Sequence, residues 1–578
     1  ALDTAYRFLR TLEHRLQLVR LRRTHVLPED EATLRLLGRS MGMAGDPVAE
    51  LDRQWRRHSR EVRRLHEKLF YRPLLAAVAK LPSDEARLTP EAAEQRLAAL
   101  GYQDPAGALR HLEALTAGLS RTASIQRTLL PAMLGWFADA PNPDAGLLGF
   151  RQISEALGST HWYLQTLRDE GQVAQHLATI LASSRYATDL LLRAPEGVRM
   201  LADDDALVPR SRDALAAEMC SAALRHADPV DGIGAVRAIR RRELFRVAVA
   251  DLLSDLDVSR VAIALTDVTA ATLTAALAVA TAAVSAERRS EVPTRIAIVA
   301  MGRFGGAELG YGSDADVMFV HDPLPGAAQE DATRAAHEVA NELRRLLALP
   351  GTDPVLDVDA GLRPEGRQGP LVRTIDSYAA YYAKWSAVWE AQALLRADPM
   401  IGDADVCARF RDLIDPLRFP ASGLGPDDVR ELRRIKARVD AERLPRGADP
   451  ATHLKLGRGG LADVEWTVQL LQMRYAAGVP ALRTTRTLDA LMAAVDADLI
   501  SRTDADSLAA AWRTASRLRN AITQVRGKPA DSLPRDARER AAVAHICGYR
   551  AGNSDELLND YLRIARRARQ VVERVFWG

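Results

Sequence analysis

Asp314 and Asp316 stand one residue apart at the head of the apolar run Asp316-Val317-Met318-Phe319-Val320-His321. Side chains alternate along a strand, so residues two apart share a face and both carboxylates can reach one cation. Oxygen-only ligands with substrate phosphates completing the shell suit Mg²⁺, or Mn²⁺. A third carboxylate on a neighbouring strand would complete a two-metal site. Asp359, set between Val358 and Ala360, is the candidate, while Asp357 on the same face reads equally as a strand-end charge. Upstream, Gly305 and Gly306 follow another apolar run, and paired glycines let backbone N–H groups approach an anion such as a triphosphate. A lone Asp-x-Asp fits a calcium loop or a surface turn as well, and a lone Gly-Gly turn is no more specific. Together, eight residues apart and followed by an Asp-bearing strand, they point to cations held against a nucleoside triphosphate.

These residues need strands to carry them. Arg295-Ile296-Ala297-Ile298-Val299-Ala300-Met301 is short, apolar and β-branched, and it ends in a Gly-rich turn, which predicts a buried strand. Residues 316–321 predict a second strand, 328–349 a helix that stops at Pro350-Gly351, and 355–359 a third strand. Beyond Thr374 helical spacing continues to the end, interrupted by loops near 416–426, 445–450 and 457–460. Residues 71 to about 225 also show helical spacing and no chemistry. There His161, Trp162 and Tyr163 read as packing or surface aromatics. The expected fold is mainly α with an embedded α/β nucleotidyltransferase domain, a small mixed sheet flanked by helical bundles.

Composition narrows the class. With 578 residues the chain is too long for one core. The 78 basic and 76 acidic residues nearly cancel, which argues against a nucleic-acid binder with a dedicated basic surface. The cluster Arg240-Arg241-Arg242 runs into Glu243 and Leu244 and reads as a solvated helix face. Cys220, Cys407 and Cys547 lack paired spacing, which fits neither a disulfide framework nor a zinc site and matches a reducing cytoplasm. No uninterrupted apolar run reaches the ~18 residues of a membrane span. Residues 270–284 come nearest and read as a buried helix.

An internal repeat organises the chain. Residues 6–70 slide 506 positions onto 512–576 without a gap, with about 15 of 65 positions identical. Leu27-Pro28-x-Asp30 falls on Leu533-Pro534-x-Asp536, and Glu50-Leu51 falls on Glu556-Leu557. Arg57, Arg60, Arg63, Glu67 and Phe70 fall on Arg563, Arg566, Arg569, Glu573 and Phe576. The unit that closes the chain therefore also opens it, so a longer protein holding two copies of a larger module is expected. The chain divides into 1–75 as a helical tail, 76–225 as a helical linker or regulatory domain, 226–410 as the nucleotidyltransferase domain and 411–578 as a helical bundle.

The glycine turn and carboxylates resemble the signature of the DNA-polymerase-beta-like nucleotidyltransferases. The longer string from Gly302 to Phe319 resembles, nearly residue for residue, the signature of glutamine synthetase adenylyltransferases. So do 358–366 (Val-Asp-Ala-Gly-Leu-Arg-Pro-Glu-Gly), 389–397 (Trp-Glu-Ala-Gln-Ala-Leu-Leu-Arg-Ala) and 455–466 (Lys-Leu-Gly-Arg-Gly-Gly-Leu-Ala-Asp-Val-Glu-Trp). That family has an N-terminal adenylyl-removing domain and a C-terminal adenylylating one, with helices between them. The resemblance implies the adenylylating part, with residues 1–75 as the tail of a preceding adenylyl-removing domain.

It further implies AMP transfer from ATP to a tyrosine hydroxyl of glutamine synthetase, with nitrogen assimilation as the process controlled. The implied catalytic and metal residues are Asp314, Asp316 and Asp359. The implied nucleotide contacts are Gly305, Gly306, Ser313, Arg363, Glu390, Gln392, Arg396 and Lys455, with Asp463 and Glu465 orienting Lys455 or the acceptor. Gly361 departs from the many relatives with a second Arg there, which leaves Arg363 alone for phosphate contacts in that loop. Glutamine synthetase is the implied protein substrate, the PII signalling protein and glutamine the implied effectors, and the cytoplasm the compartment. Three other readings are weighed from sequence: phosphorolytic removal of AMP by the same chemistry, a nucleotide-sensing module without turnover, and transfer to a small molecule such as an aminoglycoside, against which the long helical additions on both sides favour a macromolecular acceptor.

Overall fold

Hydrogen-bonded caps and buried apolar stripes set the elements of the computed structural model, which describes residues 2–20, 27–28, 30–66, 71, 89–117, 121–158, 160–254, 256–385, 387–550 and 552–578. The chain forms two compact units, residues 1–178 and 179–578. The boundary falls inside the stretch 76–225 expected to be one helical domain.

The first unit is all helical. It opens with α1 (Leu2–Arg20), α2 (Glu31–Ser40) and α3 (Pro47–His66), packed around Leu12, Leu16, Leu37 and Leu51. Asp30 caps α2 by accepting from the Thr33 N–H at 2.8 Å, which satisfies one of the first-turn donors. Farther along, Tyr163 is fully buried and shares a hydrogen bond with Ser154 Oγ at 3.1 Å, so it packs as expected.

The second unit places a five-stranded sheet among helices. α4 (Pro229–Leu253) and α5 (Val258–Arg288) lead into β1 (Thr294–Ala300), β2 (Ala315–Pro323), α6 (Gln329–Ala348), β3 (Val358–Asp359), β4 (Val372–Thr374), α7 (Val388–Leu394) and β5 (Asp398–Gly402). The strand order is β3-β2-β1-β5, with β4 also paired to β2. β1 runs antiparallel to β2 and β5, and β2 runs parallel to β3 and β4. Helices cover both faces: α6 packs on β1, β2 and β4, while Tyr378, Phe410 and Ile414 pack against Ala297, Val299, Met318 and Val320. Burial on both faces is why β1 and β2 read as continuous rather than alternating apolar runs.

The sequence departs from this sheet in two places. The third strand, expected over 355–359, shrinks to Val358–Asp359, because the carbonyls before it bind guanidinium groups of α4. β5 was not anticipated. It contains Pro399 and ends at Gly402, residues that disfavour strands but are tolerated at a sheet edge. The reading of Arg240-Arg241-Arg242 as a solvated face is also corrected. Arg240 is buried, Arg241 nearly so, and only Arg242 reaches the surface appreciably. α5 is long and apolar enough to cross a membrane, but its apolar stripe is packed on α4 and α6.

Further helices complete the unit, among them α8 (Pro426–Glu442), α9 (Leu461–Tyr475), α10 (Arg502–Arg526), α11 (Ala537–Ile546) and α12 (Ser554–Val572). The repeat is visible in them. α2 and α11 begin and end 506 positions apart. The turn after α2 is reproduced bond for bond. Met41 and Cys547 N–H donate to Leu37 and Val543 carbonyls, and Met43 and Tyr549 N–H donate to Gly38 and Ala544 carbonyls. The buried positions also correspond, with Leu12, Leu37 and Leu51 matched by Leu518, Val543 and Leu557. The proposed pairings of Glu67 and Phe70 lie outside the described residues.

Candidate active site

The sheet register brings the carboxylates together. β2 and β3 form a two-residue parallel ladder in which Ala315 faces Val358 and Asp316 faces Asp359. Ligand oxygens of Asp314, Asp316 and Asp359 lie within 4.8 Å of one another, and Asp314 is exposed while the other two are half-buried. Asp357 is exposed and its carbonyl accepts from the Ala315 N–H at 2.9 Å, a strand-end role. Asp359 is oriented by its own loop, since its Oδ1 accepts from the Gly361 N–H at 2.7 Å.

Three acids this close repel one another. Asp316 is pushed up to about 7, first by burial and then by Asp314 and Asp359, with Lys455 opposing the shift. A divalent cation would relieve that repulsion, and a hard, all-carboxylate donor set suits Mg²⁺ or Mn²⁺. The residues present therefore fit a metal.

A cleft of about 930 Å³ opens beside Asp314 and Asp316. Its floor comes from Gly302, Arg303, Gly312 and Ser313, and its walls from α7, α8 and α9 with Arg519 and residues 529–531. Among the sequence candidates Ser313, Gln392, Arg396 and Lys455 line it, and Gly305, Gly306, Arg363 and Glu390 do not.

The two glycines do not open backbone donors to an anion. Gly305 and Gly306 N–H groups donate to the Met301 and Gly302 carbonyls at 2.9 and 3.1 Å. What they provide is room, because a Cβ on Gly305 would sit 1.9 Å from the Arg396 carbonyl and one on Gly306 would sit 2.3 Å from its guanidinium. Gly302, at φ +53°, meets Asp316 directly, and a Cβ there would lie 2.7 Å from Asp316 Oδ2.

Arg396 holds this turn from below. Its buried guanidinium donates to the Gly302 carbonyl at 3.1 Å, to Thr487 Oγ1 at 3.0 Å and to Glu308 at 2.5 Å. Glu308, also buried, accepts in addition from the Thr487 N–H at 2.6 Å. Arg363 likewise spends its donors on carbonyls of its own loop, Ala360, Arg367 and Gly369. Glu390 accepts from Tyr381 Oη and the Ala387 N–H, fixing the start of α7. Gln392 lines the cleft with its amide bonded to Gln469 at 2.7 Å.

Lys455 is an unpaired cation of the cleft wall, as are Arg438 and Arg443 among the described residues. Its ammonium is exposed to the cleft, and no hydrogen bond or ion pair joins it among the described residues. Asp463 does not orient it. That carboxylate is buried among Lys436, Arg569 and the Gly459 N–H, and so ties α8 and α12 to the Gly459 turn. Glu465 pairs with Arg303 at 3.4 Å. Arg303 was not singled out from sequence, although it lies within the quoted motif. It lies half-buried over the Trp512 ring and is lowered to about 10 by desolvation, and it lines the cleft. Ile435, Arg438, Val439, Glu442 and Arg443 of the α8 wall were also missed. Their spacing of three and four marks one helix face, which reads in sequence as solvated.

The chain resembles known proteins along its whole length. The family described as "Glutamate-ammonia ligase adenylyltransferase" matches residues 174–413, the span that holds all three carboxylates. The chain is 56% identical over its full length to a bifunctional glutamine synthetase adenylyltransferase/adenylyl-removing enzyme of Streptomyces avermitilis. The chain is thus similar along its whole length to glutamine synthetase adenylyltransferases, and residues 174–413 match that family. Relatives of the same name in Streptomyces coelicolor and Nocardia farcinica are 57% and 52% identical across the whole chain. The chain spans 59%, 59% and 58% of the length of these three family members. A second family, described as "GlnD PII-uridylyltransferase", matches residues 1–70 and again 433–576, so one pattern fits both copies of the helical repeat.

Proposed function

We propose that this chain moves AMP from ATP to a tyrosine hydroxyl of glutamine synthetase and releases pyrophosphate, as part of the control of nitrogen assimilation. The observation that carries the reading is the convergence of Asp314, Asp316 and Asp359 within 4.8 Å beside a cleft large enough for a nucleotide. Asp314, Asp316 and Asp359 would hold Mg²⁺ or Mn²⁺, which when bound supplies charge neutralisation at the phosphates. ATP is the proposed donor, and the PII protein and glutamine are proposed effectors.

The chain's own groups supply the rest. Lys455 and Arg303 place positive charge where the triphosphate's negative charge lies. Ser313 Oγ accepts from the Gly310 N–H at 3.1 Å and so fixes the loop that presents Asp314. A tyrosine hydroxyl ordinarily titrates near 10, so its proton needs an acceptor at neutral pH. Asp359, oriented by Gly361, is the carboxylate proposed to take it. The new bond joins the phenolic oxygen to the α-phosphorus as the bond to the pyrophosphate oxygen breaks.

The direction of transfer is supported by chain order. The catalytic sheet follows the first copy of the helical repeat, which is the order expected of the family's adenylylating module. The test is mass spectrometry of glutamine synthetase after incubation with this chain, ATP and Mg²⁺. A tyrosine carrying AMP is expected. Unmodified glutamine synthetase, together with phosphate-dependent release of ADP from a pre-modified sample, would overturn the direction, and inertness in both assays would overturn the reading.

A further inference from the structure

Three arginines on one face of α4 grip the segment that delivers Asp359. Arg237 Nη1 donates to the Leu349 carbonyl at 2.6 Å, and its Nη2 donates to the Asp353 carbonyl. Arg240 Nη1 donates to the carbonyls of Pro354 and Val355 at 3.1 and 3.3 Å. Arg241 pairs with the Asp353 carboxylate. Arg237 and Arg240 are buried, and neither makes an ion pair within the described residues. Burying a guanidinium against carbonyls alone is costly, and the Nε of Arg237, Arg240 and Arg241 stays buried without a hydrogen-bond partner among the described residues, so the grip rests on the Nη donors.

The segment they hold has few other backbone bonds. Leu349 and Leu356 N–H donate back to the Leu346 and Leu347 carbonyls of α6, each at 3.4 Å, and the Asp357 carbonyl accepts from the Ala315 N–H at 2.9 Å at the entry to β3. β3 itself is two residues long, too short to set its own register. The position of Asp359 opposite Asp316 therefore depends on where the chain enters β3, and α4 sets that point.

We infer that Arg237, Arg240 and Arg241 are positioning residues for the metal site, clamping residues 349–355 so that Asp359 enters beside Asp314 and Asp316. This rests on the reading that the three carboxylates bind a divalent cation. Groups that orient metal ligands from outside the first ring of contacts change affinity by about 10- to 100-fold when removed.

The test is Mn²⁺ titration by calorimetry on the full chain, beside its thermal midpoint. Arg240→Met and Arg237→Met should each lose about 10-fold or more in Mn²⁺ affinity. Asp359→Asn gives the floor, and Arg240→Met should lose nothing further in that background, because both changes act through one carboxylate. A merely structural arginine would lower the midpoint, leave Mn²⁺ affinity within twofold, or add its loss to that of Asp359→Asn; either affinity result overturns the clamp. Should Arg240→Met fail to fold, Arg240→Lys keeps the charge while losing the fork. It should bind between wild type and Asp359→Asn, and wild-type affinity would overturn the inference. A wild type that binds Mn²⁺ without transferring AMP sinks the proposed function and leaves the clamp standing. One that binds no Mn²⁺ sinks both.

Discussion

Asp316 and Asp359 are partners in a parallel ladder only two residues long, so two like charges are held face to face by the backbone itself. The fold stores repulsion at this point, and Asp316 responds by titrating near 7.

Metal affinity should therefore depend on pH. Below about 7 a proton occupies Asp316 and must leave before the carboxylate binds a cation. Affinity for Mn²⁺ is expected to rise between pH 6 and 8, with proton release largest below pH 7. Calorimetry in two buffers of different ionisation enthalpy measures that release, and a flat profile would show that Asp316 is already ionised. Stability without metal moves in the opposite direction. The folded value lies above the unfolded one, so the contribution is present at low pH and lost as pH climbs toward about 7.

Asp316→Asn separates the two effects. It removes the repulsion, so the metal-free variant should melt a few degrees above wild type at pH 8. It also removes a ligand, so added Mg²⁺ should no longer raise the melting temperature and AMP transfer should be abolished. Unchanged helical content by circular dichroism accompanies this expectation. Substantial turnover in a clean preparation would count against the site.

How much of this could be read from sequence varied with distance along the chain. β1 and β2 were legible because burial on both faces leaves unbroken apolar runs, and Asp314 and Asp316 because two-residue spacing needs no partner. The repeat was legible because the Leu-Pro turn and the charged positions recur without a gap, and the same offset of 506 carries the bounds of α2 and α11 and the turn bonds that follow them. The purpose of Gly305 and Gly306 was not, since the group that needs their space, Arg396, lies some ninety residues away. Arg240 looked like a solvated residue because its partners are carbonyls, which no pattern of side chains reveals. The α8 wall stayed hidden because a helix face lining a polar cleft has the composition of one facing water.

The Arg396–Glu308 pair should behave as buried structure. Both side chains are at most 7% exposed, so Arg396→Met strands a carboxylate in the interior and should cost about 3–5 kcal/mol in urea unfolding. Arg396→Lys should recover little, because one ammonium cannot replace a fork that reaches Gly302, Thr487 and Glu308 at once. A loss under about 1 kcal/mol for Arg396→Met would mean that the pair is solvated.

Gly302→Ala tests the turn where it touches the carboxylate. The residue has φ +53°, which an L side chain resists, and the new methyl would lie 2.7 Å from Asp316 Oδ2. The strain costs on the order of 1–2 kcal/mol, and the displaced carboxylate should lower Mn²⁺ affinity along with transfer. Wild-type affinity in a folded variant would show that Asp316 has room to swing aside.

Lys455→Met should separate catalysis from stability. The ammonium is exposed and holds no partner among the described residues, so the melting temperature should stay within a degree or so of wild type, as surface substitutions usually do. Transfer should nonetheless fall by about 10²–10³, the usual loss when a charge-stabilising donor is removed. The pH profile gives a sharper criterion. Lys455 lowers the value at which Asp316 ionises, so removing it should move the midpoint of metal affinity to higher pH. An unshifted midpoint with reduced transfer would place Lys455 on the phosphates alone, and an unchanged rate would remove it from the site.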